Sequence, residues 1–254
     1  MAKLILERTF YHNFNPNFQF LSKNELMTAI EKIVNAVRKQ ARAKRAQILL
    51  QNFIITADTR ILDIGSEDGS SIAAVLRGTK ALPKNVFIAD INPEPLEKGR
   101  ARYGFVPVLI TESGTLPFED QYFDLVYCSS VIEHVTVPKE QVWKIVSSRE
   151  FLRAATIGQA SIAHEIRRLG KGYFVQTPNK WFLIESHTWL PFLGYMPRRL
   201  LVPLLRLSNR FWVKRTSPDW RLLTLSDMRS LFPDAEVKKE KLLGMTKSIM
   251  AIKS

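Results

Sequence analysis

Two short pairings of acid and imidazole give this sequence the means to move protons. Glu133 and His134 are adjacent, and Glu185 and His187 stand one residue apart. A general base helps where an acceptor must lose a proton, and histidine and carboxylate side chains are the candidates for that role. His187, with Glu185, ranks first as the catalytic residue on the side of an acceptor, and His134 second. Plainer roles stay open: His134 as a structural residue at a helix start, and Glu133 as a helix cap or a cation's partner. His12 and His164 receive no role, and no residue is assigned as a metal ligand.

A further group is built to grip a nucleoside. In Ile61-Leu62-Asp63-Ile64-Gly65-Ser66-Glu67-Asp68-Gly69-Ser70 an apolar run carries an acid, then turns through Gly65 and Gly69 into a helical stretch. Glycine permits a tight turn and lets a ligand approach the backbone. A helix beginning at Ser70 would aim backbone N–H groups at a bound molecule. Asp63, Gly65, Ser66 and Gly69 are therefore candidate cofactor contacts. A second apolar run ends on Asp90, 21 residues after Gly69 and just before Ile91. That spacing suits a carboxylate that accepts both hydroxyls of a ribose. A solvated loop aspartate is the plainer alternative.

Four ordered motifs then carry a resemblance. They are the glycine turn, Asp90, the run Glu112-Ser113-Gly114-Thr115-Leu116-Pro117-Phe118 with Phe123-Asp124-Leu125-Val126 behind it, and Val131-Ile132-Glu133-His134-Val135. Residues 60–178 resemble the class I S-adenosylmethionine-dependent methyltransferases, in the broad type 11-like group with small-molecule and quinone-pathway methylases. The resemblance implies S-adenosyl-L-methionine as cofactor, with Asp90 and Ile91 at the ribose. It implies Glu112 and Ser113 at the adenine and Ser129 beneath the methionine part. Thr177-Pro178-Asn179-Lys180-Trp181-Phe182, followed by Glu185 and His187, resembles a segment of a bacterial subset. One position departs: the family's middle glycine in the first turn is Glu67 here, which puts the strength of cofactor binding in question. A nicotinamide-binding fold fits less well, because Gly65 and Gly69 do not make its glycine pattern.

The elements that must position these residues follow from periodicity. Apolar runs at 60–64, 86–90, 106–111, 123–128 and 173–177 read as buried strands. Between them, 70–77, 93–103 and 139–169 read as helices, while 112–121 is rich in turns and a helix there is doubtful. Such alternation predicts an α/β, Rossmann-like doubly wound sheet, mostly parallel, with helices on both faces. Strands at 235–243 and 246–253 joined at Gly244 predict an antiparallel C-terminal strand. An N-terminal arm and helix occupy 1–55, the helix running over about 24–51. The cofactor-binding domain occupies 56–254, with a cap insertion at about 179–220.

The 254 residues are 46% hydrophobic and 24% charged, which excludes wholesale disorder. The first ten residues show no signal-peptide pattern and no run is long enough to span a bilayer, so a cytoplasmic protein is expected. A single cysteine, Cys128, excludes an internal disulfide. The net charge of +13 attracts phosphate on lipid or nucleic acid, or marks a merely basic enzyme. Residues 197–215 can form a helix kinked at Pro203. Its Arg199, Arg206, Arg210 and Lys214 fall near one face, while Leu200, Leu201, Leu204, Leu205, Phe211 and Trp212 fall elsewhere. Such a helix lies on an anionic membrane or packs its apolar side on its own domain. A methyltransferase acting on a small-molecule or lipid-linked acceptor is the leading expectation. A catalytically silent binding protein and an RNA methyltransferase are the alternatives, although no RNA-binding module is visible. Oligomeric state is not read from the sequence.

Overall fold

The computed structural model describes residues 23–111, 114–185, 187–210 and 214–254. They fall into two units that meet between residues 43 and 44 of the chain, and helix α1 spans Lys23–Asn52. The second unit holds every element below.

Seven strands form one sheet: β1 (Ile61–Ile64), β2 (Val86–Asp90), β3 (Val106–Leu109), β4 (Phe123–Ser129), β5 (Gly170–Pro178), β6 (Glu236–Leu242) and β7 (Met245–Lys253). Their order is β3-β2-β1-β4-β5-β7-β6. The first five pair in parallel and β7 pairs antiparallel with both β5 and β6. The expected Rossmann-like sheet, closed by an antiparallel C-terminal strand, is what forms. β1 and β2 lie side by side with Ile64 opposite Ala89. This register brings the turn after β1 beside Asp90 at the tip of β2.

Strand residues alternate between two apolar layers, as a sheet covered on both faces requires. Leu62, Ile64, Val126, Cys128 and Val175 pack with Ala163, Ile166 and Leu169 of α4 (Ser148–Leu169) and with Met228 of α6 (Leu225–Leu231). Ile61, Ile88, Leu125, Tyr127 and Phe174 pack on the other side. There they meet Leu49 of α1, Ile72 and Val75 of α2 (Ser70–Val75), and Leu96 of α3 (Pro93–Tyr103).

Two expected helices are shorter than their hydrophobic patterns. α4 starts at Ser148, not near 139, because Ser147 caps it by accepting the Glu150 N–H at 3.3 Å. The turns before it are held by Arg198, whose buried guanidinium donates to the carbonyls of Val142, Ile145 and Pro218. Arg198 opens α5 (Arg198–Ser208), which contains Pro203 and stops well before residue 215. Beyond it Asn209 turns the chain, donating to Thr216 O at 2.8 Å and accepting Thr216 N–H at 3.0 Å. Leu201 and Leu205 of α5 pack with Leu193, Trp220 and Leu222 in a separate small core. Phe211 and Trp212 lie outside the described residues.

Candidate active site

The glycine turn is built as its residue types require. Gly65 has φ 70° and donates its N–H to Ala89 O at 2.7 Å. A Cβ at Gly65 would stand 2.4 Å from Val131 Cγ1, so no larger residue fits there. Glu67 takes the left-handed conformation itself, with φ 52°. Its side chain is exposed, and its backbone N–H donates to Asp90 Oδ2 at 3.0 Å. The departure from glycine is thus accommodated by turning the carboxylate to solvent. Gly69, also left-handed, precedes α2, whose first N–H at Ser70 is taken by Asp68 Oδ1 at 3.0 Å.

Asp90 is held at both oxygens. Oδ2 accepts from Glu67 and Oδ1 from the Asn92 N–H at 3.0 Å. Ionised carboxylates have about four lone-pair sites, so each oxygen keeps one for a ligand hydroxyl. Ile91 beside it is exposed. Asp63 is nearly fully buried, and burial, reinforced by the Asp90 charge, pushes its carboxyl well above the usual range. Asp63 Oδ2 and Ser66 Oγ are buried with no hydrogen-bond partner among the described residues. Unsatisfied buried polar groups call for a partner, and a bound ligand is one that would supply it. An adenosyl sulfonium with an α-amino cation fits them: hydroxyls for Asp90, and a positive group to relieve Asp63.

Ser129 ends β4 and donates to Gln176 Oε1 at 2.7 Å, and Ser130, with φ 60°, donates to the same oxygen at 3.1 Å. Arg45 of α1 also donates to Gln176 Oε1. Glu112 and Ser113 lie outside the described residues. The Leu116-Pro117-Phe118 turn that follows them is latched to α4. Glu165 accepts the Leu116 N–H at 2.8 Å, and Arg168 donates to Leu116 O at 3.1 Å and Phe118 O at 2.7 Å.

Beyond β4 and β5 the structure brings both acid–imidazole pairs together. The rings of His134 and His187 stand edge to face, centroids 4.7 Å apart. Glu185 is buried and accepts His187 Nδ1 at 2.5 Å and the backbone N–H groups of His187 and Thr188 at 2.8 and 2.6 Å. Burial would raise its carboxyl, but these donors outweigh burial and hold it below its ordinary range. An ionised Glu185 only accepts, so His187 Nδ1 carries the proton. Glu133 sits in a 3-10 turn over Ile132–His134 and is fully buried. Burial pushes its carboxyl up, against the opposing pull of His187 and His134. Its Oε2 accepts from Thr177 Oγ1 at 2.9 Å. His134 is also less charged by burial alone, yet Asp219, with Oδ2 3.4 Å from Nδ1, and then Glu133 and Glu185 raise it overall. The Trp220 ring stacks on His187 with centroids 5.4 Å apart.

Sequence reasoning missed Gln176, Asp219 and Trp220. Asp219 and Trp220 carry no local signal, because they return to the site across the whole 188–218 segment. Gln176, a buried amide within an apolar strand, is the one that could have been found.

Residues 62–148 match the family described as a methyltransferase domain. Over those residues the chain is similar to a methyltransferase domain. The cofactor that belongs with such a domain is S-adenosyl-L-methionine. No curated protein sequence matches the chain. Solved structures share the domain's fold. A protein of Pyrococcus horikoshii is 13% identical with a TM-score of 0.51, over 86% of this chain and 92% of that one. A chain in the complex between the Haloferax volcanii Trm112 methyltransferase activator and the putative methyltransferase is 12% identical. Its TM-score is 0.50, over 88% of this chain and 94% of that one. In this chain the glycine turn, Asp63 and Asp90 lie at the ends of β1 and β2, and His134 and His187 stand beyond β4 and β5.

Proposed function

We propose that this protein transfers the methyl group of S-adenosyl-L-methionine to a small-molecule or lipid-linked acceptor. The observation that carries the reading is the turn after β1. There Asp90 is positioned by the Glu67 N–H, beside two buried polar atoms, Asp63 Oδ2 and Ser66 Oγ, that have no partner among the described residues. Asp90 holds the ribose and Asp63 faces the amino group of the methionine part. When bound, the cofactor supplies a methyl group already activated on a sulfonium. The chain's own work is therefore alignment, exclusion of water and acceptance of a proton.

His187 is the acceptor-side residue. Glu185 fixes its Nδ1–H, which leaves Nε2 as the basic nitrogen of the ring for an acceptor proton, and Trp220 stacks on the ring. The lipid-linked option is supported by the segment around α5. It exposes Trp181, Ile184, Phe192, Leu200 and Leu207, together with Arg199 and Arg206. Among the described residues no helix is long and apolar enough to cross a membrane, so contact would be peripheral.

The test is to incubate the protein with methyl-labelled donor and a cell extract and identify the labelled product, with calorimetry of donor binding alongside. A labelled small molecule or lipid supports the reading. Donor binding without any labelled product would point to a silent binding protein, and labelled RNA would replace the acceptor class.

A further inference from the structure

Three side chains of the histidine cluster have a second property that proton transfer does not use. Glu133, His134 and His187 each offer one ligand atom, and these atoms lie within 4.8 Å of one another. Bonds to a transition metal are about 2.0–2.2 Å long, so small side-chain shifts would bring all three onto one ion. Two imidazoles and one carboxylate form the ligand set of an open divalent site, which keeps a position for water or substrate.

Independent evidence comes from Glu133 itself. Its Oε1 is fully buried with no hydrogen-bond partner among the described residues, and it stands 3.9 Å from His187 Nε2. A buried carboxylate oxygen left without a donor is costly, and a cation is the partner that answers it. The far side of each residue is also tied down. Thr177 Oγ1 donates to Glu133 Oε2 at 2.9 Å, Glu185 Oε1 holds His187 Nδ1 at 2.5 Å, and Asp219 Oδ2 stands 3.4 Å from His134 Nδ1. Carboxylate or hydroxyl partners behind the ligating groups are the arrangement that fixes tautomer and ring orientation at a metal centre.

We propose that Glu133, His134 and His187 bind one divalent transition-metal ion of borderline softness, of the Zn2+ or Co2+ kind. The site's existence stands on this geometry alone, and only its role rests on the methyltransferase reading. In that role an acceptor hydroxyl coordinated to the ion releases its proton to solvent more readily, because the cation stabilises the oxyanion left behind. With the ion bound, His187 Nε2 is a ligand and takes up no proton; the ion activates the acceptor by Lewis acidity in its place, and the acceptor atom is oxygen.

Tag-free full-length protein, stripped with a chelator, is titrated with Co2+ and followed by visible absorption. One equivalent is expected to bind. Glu133→Gln, His134→Gln and His187→Gln are each expected to weaken binding at least tenfold, while His164→Gln on α4 leaves it unchanged. Far-UV circular dichroism reports whether each variant is folded. Should the buried substitutions unfold the chain, the Co2+-loaded wild type still decides the matter by proton NMR. Among four histidines, two paramagnetically shifted imidazole N–H signals support the site and none or one overturns it. Absence of stoichiometric Co2+ and Zn2+ binding, or binding that survives all three substitutions in folded protein, also overturns it. Calorimetry of S-adenosyl-L-methionine on the metal-free protein separates the two ideas: intact donor binding without metal binding sinks the metal site alone.

Discussion

Glu185 accepts the Nδ1–H of His187 at 2.5 Å while its other oxygen is anchored by the Thr188 N–H at 2.6 Å, so the imidazole is fixed by a carboxylate that is itself fixed. Removing the ring should therefore affect turnover and not donor binding. His187→Ala is expected to lower kcat by about 10²–10⁴-fold, the usual worth of a positioned proton-transfer group. Glu185→Gln is expected to lower it less, because the ring stays but its tautomer is no longer set. Steady-state kinetics and calorimetry of S-adenosyl-L-methionine binding check this pair. Unchanged turnover in His187→Ala removes the residue from the mechanism.

Asp90 is expected to govern donor affinity. Hydrogen bonds to a charged group contribute about 1.5–3 kcal/mol each, so Asp90→Ala should raise the Kd for S-adenosyl-L-methionine by roughly 10–100-fold or more. The same substitution releases the Glu67 N–H, which loosens the turn. Asp90→Asn, which keeps an acceptor oxygen, should lose less than Asp90→Ala. Calorimetry giving wild-type affinity for Asp90→Ala would contradict the ribose assignment.

The strand tips were legible because buried parallel strands announce themselves as short apolar runs, and ligands gather at their C-terminal ends. Asp63 and Asp90 can be placed on that basis, whereas Ser129 follows from the family resemblance. Helix limits were less legible. The start of α4 depends on the Ser147 cap, and the turns before it on Arg198, a residue from a distant segment. Long-range closure is what a linear pattern does not carry. Nothing near Glu133 in the chain announces that Thr177, Asp219 and Trp220 will surround it and its neighbouring histidines.

Gly65 is expected to tolerate no side chain. Its φ of 70° costs an L-residue about 1–2 kcal/mol. An added Cβ would meet Val131 Cγ1 at 2.4 Å. Overpacking of this kind costs roughly a further 1–3 kcal/mol. Gly65→Ala should then lower Tm by about 4–20 °C for a domain of this size. Val131→Ala in the same chain should recover part of that loss by removing the clash and none of the backbone strain. Thermal denaturation of the single and double variants measures both terms, and an unaltered Tm in Gly65→Ala would show the turn to be looser than its geometry.

Asp227 ties acid sensitivity to the start of α6. It accepts from Thr224 N–H at 2.8 Å, Thr224 Oγ1 at 2.6 Å and Arg221 at 2.9 Å. Burial opposes its charge, but these donors and the Arg221 cation outweigh burial and hold its pKa below the ordinary value. A carboxyl lowered on folding adds stability above its unfolded pKa, and that stability is lost as pH falls through the folded value. The loss should therefore appear below about pH 4. Asp227→Asn should destabilise the protein at pH 7 by about 1 kcal/mol, as loss of a helix cap does. It should also give a shallower fall in stability between pH 5 and pH 3. Urea unfolding at several pH values tests this, and parallel wild-type and variant curves would exclude Asp227 from the acid response.

Membrane contact can be separated from a self-packed cap by which leucines α5 exposes. Leu201 and Leu205 are buried in the segment's own core, so they cannot serve a bilayer without local opening. Leu200 and Leu207 are 59% and 52% exposed, and Arg199 and Arg206 are exposed on the same helix. Basic residues near an anionic surface contribute about 1 kcal/mol each, and buried apolar area adds to that. The protein is therefore expected to co-sediment with phosphatidylserine-containing vesicles at low salt and to detach as ionic strength rises. Arg199→Glu with Leu200→Ser should weaken pelleting several-fold while leaving donor binding untouched, because neither residue contributes to the β1–β2 tips. Failure of the wild type to pellet at low salt would remove the membrane from the acceptor's description and leave a freely diffusing small molecule.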